Sequence, residues 1–343
     1  MTKNLRVAII GCGRIFPMHA ASVVHQPDTK LVAVCDIDME RALEQAKLYK
    51  CEAYPNYINL FNEVDIDVIH ICLPHYLHEE ITIEAAKRGI HVLTEKPISI
   101  SNQSAEKMIS FCEDCNVKLG VIFQSRYNHS AQLVKSLLTK GELGHIHSAN
   151  LILTWNRSNQ YYSESDWKGT WDKEGGGVVI DQAIHSFDLL NWFIDSEIDF
   201  IDASIHQRVN TEIEVEDTAE GIIKYKNNTT LSFYTMNHYS YDAPIKLELD
   251  CEKALVKFIG SKATITFNDG REYKVENDPR ETIEYSNGTK DYWGVSHVKQ
   301  ITDFYNAIKN NEQLFIDGNQ ALKTQRIVSG IYQSAKNRQK IYL

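Results

Sequence analysis

The sequence predicts an α/β protein in two parts: a doubly wound parallel sheet first, then an α+β domain rich in strands. Three observations predict it. Apolar strands alternate with helical segments up to about residue 124. A strand, a glycine turn and a helix stand at the start, with an acid closing the second strand. Beyond Phe123 the alternation gives way to successive strands separated by turns. The division falls at 1–124 and 125–343, and a chain of 343 residues suits two cores better than one.

Leu5 to Ile10 is apolar apart from Arg6 and reads as a buried parallel strand. Gly11-Cys12-Gly13-Arg14-Ile15 follows, and a helical stretch covers His19 to His25. Such a strand–turn–helix sets backbone N–H groups and a helix N-terminus against a pyrophosphate. Phe16 stands where the fingerprint has a third small residue, so the helix is expected further from the strand. Leu31 to Cys35 forms the second strand and ends in Asp36, placed to accept hydrogen bonds from both hydroxyls of an adenosine ribose. A 2′-phosphate would meet like charge there, and Asp38 adds to it, so NAD is favoured over NADP.

The alternation continues through a helix at Met39–Tyr49, a strand at Val68–Leu73 stopped by Pro74, and a helix at His78–Arg88 capped by Gly89. A strand at His91–Thr94 delivers Glu95-Lys96-Pro97, then come a helix at Ser104–Cys115 and a strand at Lys118–Phe123. Ligands of such sheets bind at the carboxyl ends of strands. The candidate cofactor residues are therefore Gly11, Gly13, Arg14, Ile15, Asp36, Leu73, Pro74, His75, His78, Glu95, Lys96 and Gln124.

The second part opens with a helix at Ser130–Thr139. Strands are expected at 147–156, 200–208, 220–225, 229–236, 245–251, 254–260 and 262–268, with closing helices at 297–309 and 319–337. Between the first two strands, Val178 to Phe193 is apolar at helical spacing. It follows Gly175-Gly176-Gly177 and carries Asp181 and His185, which four-residue spacing places on one helix face. The aromatic segment Trp155, Tyr161, Tyr162, Trp167 and Trp171 is interleaved with Arg157, Lys168 and Thr170, a composition able to stack on a sugar or uracil. Arg126 is an anion-contact candidate.

A formal net charge of -10 argues against nucleic acid as the main partner. No apolar run has the roughly 18 residues of a membrane span. The N-terminus enters a strand almost at once, so no signal peptide and a cytoplasmic location are expected. Seven scattered cysteines fit reduced thiols. Cys112 and Cys115 form a CxxC inside a helical pattern without a second ligand pair, and no metal is expected.

Together, Gly11-Cys12-Gly13-Arg14, Leu73-Pro74…His78, Glu95-Lys96-Pro97 and Gly175-Gly176-Gly177…Asp181…His185 resemble the glucose–fructose oxidoreductase/inositol dehydrogenase (Gfo/Idh/MocA) family over essentially the whole chain. The resemblance implies an N-terminal Rossmann domain and a C-terminal domain with a large, mostly antiparallel open sheet. It also implies a homodimer or homotetramer, and a catalytic set of Lys96, Asp181 and His185. Ser125-Arg126-Tyr127-Asn128, Trp167-Lys168-Gly169-Thr170-Trp171 and Val215-Glu216-Asp217-Thr218 are similar to the UDP-N-acetylglucosaminuronate 3-dehydrogenase subgroup. Lys168 stands where that subgroup has arginine, and Asp181-Gln182 where it has Asn-Gln. The substrate contacts this implies are Arg126, Tyr162, Trp167, Lys168, Thr170 and Gln182.

The resulting expectation is an NAD-dependent oxidation of a secondary hydroxyl, at carbon 3 of a UDP-linked N-acetylhexosamine or its uronate. Neutral His185 would accept the hydroxyl proton, Lys96 would orient the hydroxyl and stabilise charge on oxygen, and Asp181 would orient either. A dehydrogenase of a free or phosphorylated sugar or an inositol is the alternative within the same chemistry. A non-catalytic NAD(H)-binding sensor is the alternative outside it.

Overall fold

The computed structural model describes residues 4–210, 212–276 and 296–343. In chain order the first elements are β1 (Leu5–Ile10), α1 (Phe16–His25), β2 (Thr29–Cys35), α2 (Met39–Tyr49), β3 (Glu52–Tyr54) and α3 (Tyr57–Glu63). Then come β4 (Val68–Ile71), α4 (His78–Ala86), β5 (His91–Thr94), α5 (Asn102–Asp114) and β6 (Leu119–Val121). The next stretch holds α6 (His129–Thr139), β7 (Ile146–Thr154), α7 (Asn159–Ser163), α8 (Ile184–Ile194), β8 (Ile198–His206), β9 (Thr218–Tyr225) and β10 (Thr230–Met236). Last are β11 (Lys246–Cys251), β12 (Ala254–Ile259), β13 (Lys262–Phe267), β14 (Glu272–Val275), α9 (Ser296–Lys309), α10 (Gly318–Asn337) and β15 (Ile341–Tyr342).

Backbone contacts group these into two units, with the first break between Gln124 and Ser125. Residues 296–322 group with the first unit, so the stretch 125–343 is not one body. The reason lies in α9. Its Phe304 and Tyr305 join Val7, Ile9 and Phe16 in the first unit's core. Gln300 fastens it further, donating to the Val121 carbonyl at 2.7 Å and accepting from the Phe123 N–H at 3.0 Å.

The first unit carries a six-stranded sheet in the order β3-β2-β1-β4-β5-β6, parallel throughout. This is the doubly wound order, with its switch point between β1 and β4. Phe16 fills the core, fully buried and edge-on to Tyr49 at 5.8 Å.

The second unit carries a nine-stranded sheet, β14-β13-β12-β11-β7-β10-β9-β8-β15, antiparallel except where β10 runs parallel to β7. Residues of β10 to β13 alternate between buried and partly exposed, the pattern of a sheet with one covered face. Helix α8 packs on that face through Phe187 against Phe233 and Phe193 against Phe258. The segment leading into α8 departs from expectation. Val179–Ala183 is a π-helical turn, and the α-helix begins only at Ile184. Four-residue spacing therefore does not by itself put Asp181 and His185 on one face.

Candidate functional site

Gly11 directly follows β1 at φ +99°, and a Cβ there would strike the Cys72 carbonyl. Gly13 is exposed, with open space where a Cβ would stand. Arg14 is exposed and Ile15 half-buried at the mouth of α1. Asp36 is held rigidly: one carboxylate oxygen accepts from the Cys12 N–H at 2.8 Å and the other from the Asp38 N–H at 2.9 Å. Beside it Ile37 is 96% exposed, a large apolar side chain left in water at the end of β2. Sequence reasoning passed over Ile37, although an apolar residue between two aspartates after a strand is a readable signal. A bare backbone turn, an anchored carboxylate and an apolar face fit the pyrophosphate, ribose and adenine of NAD.

Leu73 and Pro74 follow β4 across the switch point and are half-buried, while His75 is buried. His78 departs from its expected role. It is fully buried, with Nδ1 2.8 Å from the Pro97 carbonyl and Nε2 3.0 Å from the Leu73 carbonyl. A neutral ring carries one N–H, and the shorter contact assigns it to the Pro97 carbonyl, so His78 braces the Glu95-Lys96-Pro97 turn and only packs against the Leu73 carbonyl. Burial pushes its pKa below the ordinary histidine value. Glu95 is buried, and Lys96 is half-buried at the end of β5. Gln124, half-buried, ends the unit's first stretch of chain.

In the second unit the polar network centres on the glycine run. Gly177 packs so tightly on the Glu216 carbonyl that no Cβ fits, and at Gly176 (φ +147°) a side chain would strike the Tyr332 hydroxyl. The buried Glu216 carboxylate accepts from the Gly177 N–H at 2.9 Å, the Val179 N–H at 3.0 Å and the Tyr332 hydroxyl at 2.9 Å. It therefore caps the turn that presents Asp181. Burial raises its pKa to about 7 although those bonds oppose the rise.

Asp181 accepts from the Tyr161 hydroxyl at 2.7 Å and from the Gln182 amide. Gln182 is itself buried, and its carbonyl accepts from Asn237 at 3.1 Å. It orients Asp181 where a substrate contact was expected. Tyr162 is likewise buried, among Ile213 and Val215, with its hydroxyl accepting from Asn237 at 2.7 Å. Its neighbour Tyr161 is the half-buried partner of Asp181, and the sequence offered no means of ranking the two. His185 is half-buried on the first turn of α8.

Trp167, Lys168 and Thr170 are half-buried. Their loop wraps the buried Glu174, which accepts from the Gly169 N–H at 2.5 Å. Burial, with the negative Asp181 nearby, lifts the Glu174 pKa to about 9. The Lys168 ammonium lies 3.7 Å above the Tyr161 ring. Arg126 is the clearest correction. It is 1% exposed, and its guanidinium grips Asp188 in a two-bond fork, Nε to Oδ2 at 2.8 Å and Nη2 to Oδ1 at 2.7 Å. Asp188 also accepts from Thr324 at 2.9 Å. This is a buried structural pair, and the anion-contact reading of Arg126 gives way to it.

The family model "Oxidoreductase family, NAD-binding Rossmann fold" matches residues 5–123, and "GFO/IDH/MocA C-terminal domain" matches residues 131–257. This chain belongs to the GFO/IDH/MocA oxidoreductase family. It is an NAD-dependent oxidoreductase of a sugar- and polyol-oxidising family. The chain is 27% identical to the D-glucoside 3-dehydrogenase of Escherichia coli, covering 100% of this chain and 99% of that one. It is 24% identical to the myo-inositol 2-dehydrogenase of Thermotoga maritima, covering 92% and 91%. Among solved structures, the WlbA dehydrogenase from Chromobacterium violaceum in complex with NADH and UDP-GlcNAcA is similar at 25% identity and TM-score 0.87. That match covers 99% of this chain and 96% of the other. Among the described residues, no helix is long and apolar enough to cross a membrane.

Proposed function

We propose that this GFO/IDH/MocA oxidoreductase oxidises the carbon-3 hydroxyl of a UDP-linked N-acetylhexosamine or its uronate. The observation that carries the reading is the whole-length similarity to a dehydrogenase that binds NADH and UDP-GlcNAcA. The carbon-3 position is supported by the glucoside 3-dehydrogenase. Gly11, Gly13, Arg14, Ile15, Asp36, Leu73 and Pro74 would hold NAD, with Glu95, Lys96 and Gln124 nearer its reactive end. When bound, the nicotinamide supplies the hydride acceptor.

The chain's own groups then manage the proton and the charge. His185 accepts the hydroxyl proton, a task suited to a group whose ordinary pKa lies near neutrality. Lys96 orients the hydroxyl and stabilises negative charge as it develops on oxygen. Asp181, aimed by Tyr161 and Gln182, fixes the orientation of the acid–base partner. Trp167, Lys168 and Thr170 contact the sugar or its anionic group.

One feature favours a second reading, oxidation of a free sugar or inositol. The Lys168 ammonium rests on Tyr161, and lysine lacks the planar fork that grips a carboxylate in two bonds. A panel of UDP-N-acetylglucosaminuronate, UDP-N-acetylglucosamine, methyl glucoside, glucose 6-phosphate and myo-inositol, read by NADH absorbance, separates the two. The highest kcat/KM is expected on a UDP-linked sugar. A preference for any unlinked polyol would replace the first reading with the second.

A further inference from the structure

Behind Lys96 the first unit buries a chain of four polar side chains. Glu95 Oε1 lies 2.9 Å from His19 Nε2, His19 Nδ1 lies 2.9 Å from His70 Nδ1, and His70 Nε2 lies 2.8 Å from the Tyr305 hydroxyl. His19 and His70 are fully buried and Tyr305 nearly so, in a core that includes Val7, Ile9 and Phe304. Desolvating this many polar groups is costly unless every donor finds an acceptor.

The donor count fixes where the protons are. A neutral imidazole carries one N–H, and a carboxylate only accepts. His19 must then place its proton on Nε2, facing Glu95. Its Nδ1 becomes an acceptor, so His70 carries its proton on Nδ1. His70 Nε2 in turn accepts from Tyr305. Running the chain the other way needs either an imidazolium or a protonated Glu95. That imidazolium would be His19, a buried positive charge set against the His70 ring, whereas the neutral chain satisfies every group without one. Burial alone would raise Glu95, but the neighbouring His19 and His297 rings outweigh it and hold the carboxyl well below its ordinary value.

The other titratable groups around Glu95 are His297, with Nε2 at 3.6 Å, and Cys72, His78 and Lys96. Glu95 Oε2 accepts the Lys96 backbone N–H at 3.2 Å, while His78 holds the Pro97 carbonyl from the far side. The backbone that projects the Lys96 side chain is therefore clamped at both ends.

We infer that Tyr305, His70 and His19 are positioning residues for Lys96, forming a one-way hydrogen-bond chain that keeps Glu95 ionised and fixed. The positioning role rests on the reading of Lys96 given above, whereas the protonation pattern does not.

The test uses the full chain labelled with ¹⁵N-histidine, with and without NAD, and long-range nitrogen–proton correlation spectra. His19 is expected as the Nε2–H tautomer and His70 as the Nδ1–H tautomer, with His70 unchanged from about pH 6 to about pH 8, across which free histidine titrates. His70 in the Nε2–H form, or titrating in that range, overturns the chain. Tyr305→Phe, which deletes one oxygen, is expected to strip His70 Nε2 of its donor and shift that nitrogen's resonance, while His19 keeps the His70 tautomer. It should also lower kcat on UDP-N-acetylglucosaminuronate about tenfold, the scale of one hydrogen bond, with the Kd for NAD within about twofold. A lowered Tm with kcat unchanged would mean a merely structural role and overturn the positioning claim. Full activity of Lys96→Ala would remove the Lys96 role and the positioning with it, while the spectra answer separately for the proton pattern.

Discussion

The two units solve the same problem with opposite electrostatics. In the first, the buried Glu95 sits among histidines and is driven toward its charged form. In the second, the buried Glu174 and Glu216 sit among backbone amides, tyrosines and Asp181, and both are driven toward their neutral forms. Each carboxyl supports a candidate catalytic segment, Lys96 in one unit and the Asp181–His185 turn in the other. Burial pushes all three carboxyls up, and only around Glu95 do the neighbours outweigh it.

The largest expected effects come from the groups this contrast is meant to support. Replacing Lys96 with Ala should cut kcat by about 10² to 10³ while NAD still binds, the scale of losing one charge-stabilising group. His185→Gln should lose about 10² to 10⁴ as its proton-accepting role goes. Stopped-flow NADH formation beside a calorimetric NAD titration measures both, and near-normal turnover in either would break the assignment.

Arg126→Ala should destabilise the protein by about 3–5 kcal/mol, because it strands the buried Asp188. An unchanged Tm with a raised KM would restore the anion-binding reading. Glu216→Gln comes next, at about 1–3 kcal/mol, since the amide puts a donor against the Gly177 or Val179 N–H. Denaturant melts of that variant should show the loss without collapse of NAD binding in the other unit.

The last effect sharpens the contrast through pH. The folded-state pKa of Glu174 is about 9, above its ordinary 4.5, so the folded state binds more protons between those values. Its contribution to stability therefore falls as pH rises across that window. Glu174→Gln removes the ionisation, so its Tm should gain on the parent's as pH rises through the same range. A constant difference would place Glu174 in a polar, ordinary environment.

The first unit was the more legible in sequence because its signals are local. Gly11 directly follows an apolar run, Asp36 ends the next, and Glu95-Lys96-Pro97 ends a third, so spacing alone lined them up at one sheet edge. The supports of Glu95 were not legible. His19, His70 and Tyr305 come from α1, β4 and α9, and nothing in their local sequence announces that they meet. The second unit hid more. Its strands were visible from alternation and turn residues, yet the cap of the glycine run comes from Glu216 and Tyr332, far along the chain. Arg126 and Tyr162 read as ligand contacts because polar and aromatic residues do line sites, and only packing shows them buried. The π turn at Val179–Ala183 follows from that packing too, since periodicity gave it no signature.

Transfer of a labelled hydrogen tests the central claim most directly. UDP-N-acetylglucosaminuronate carrying deuterium on carbon 3 would be incubated with the protein and NAD, and the recovered nicotinamide weighed by mass spectrometry. Deuterated NADH, formed at least about a hundredfold more slowly when His185 is replaced by glutamine, is the predicted result. Reduced nicotinamide free of deuterium, or bound NAD that is never reduced, would contradict it.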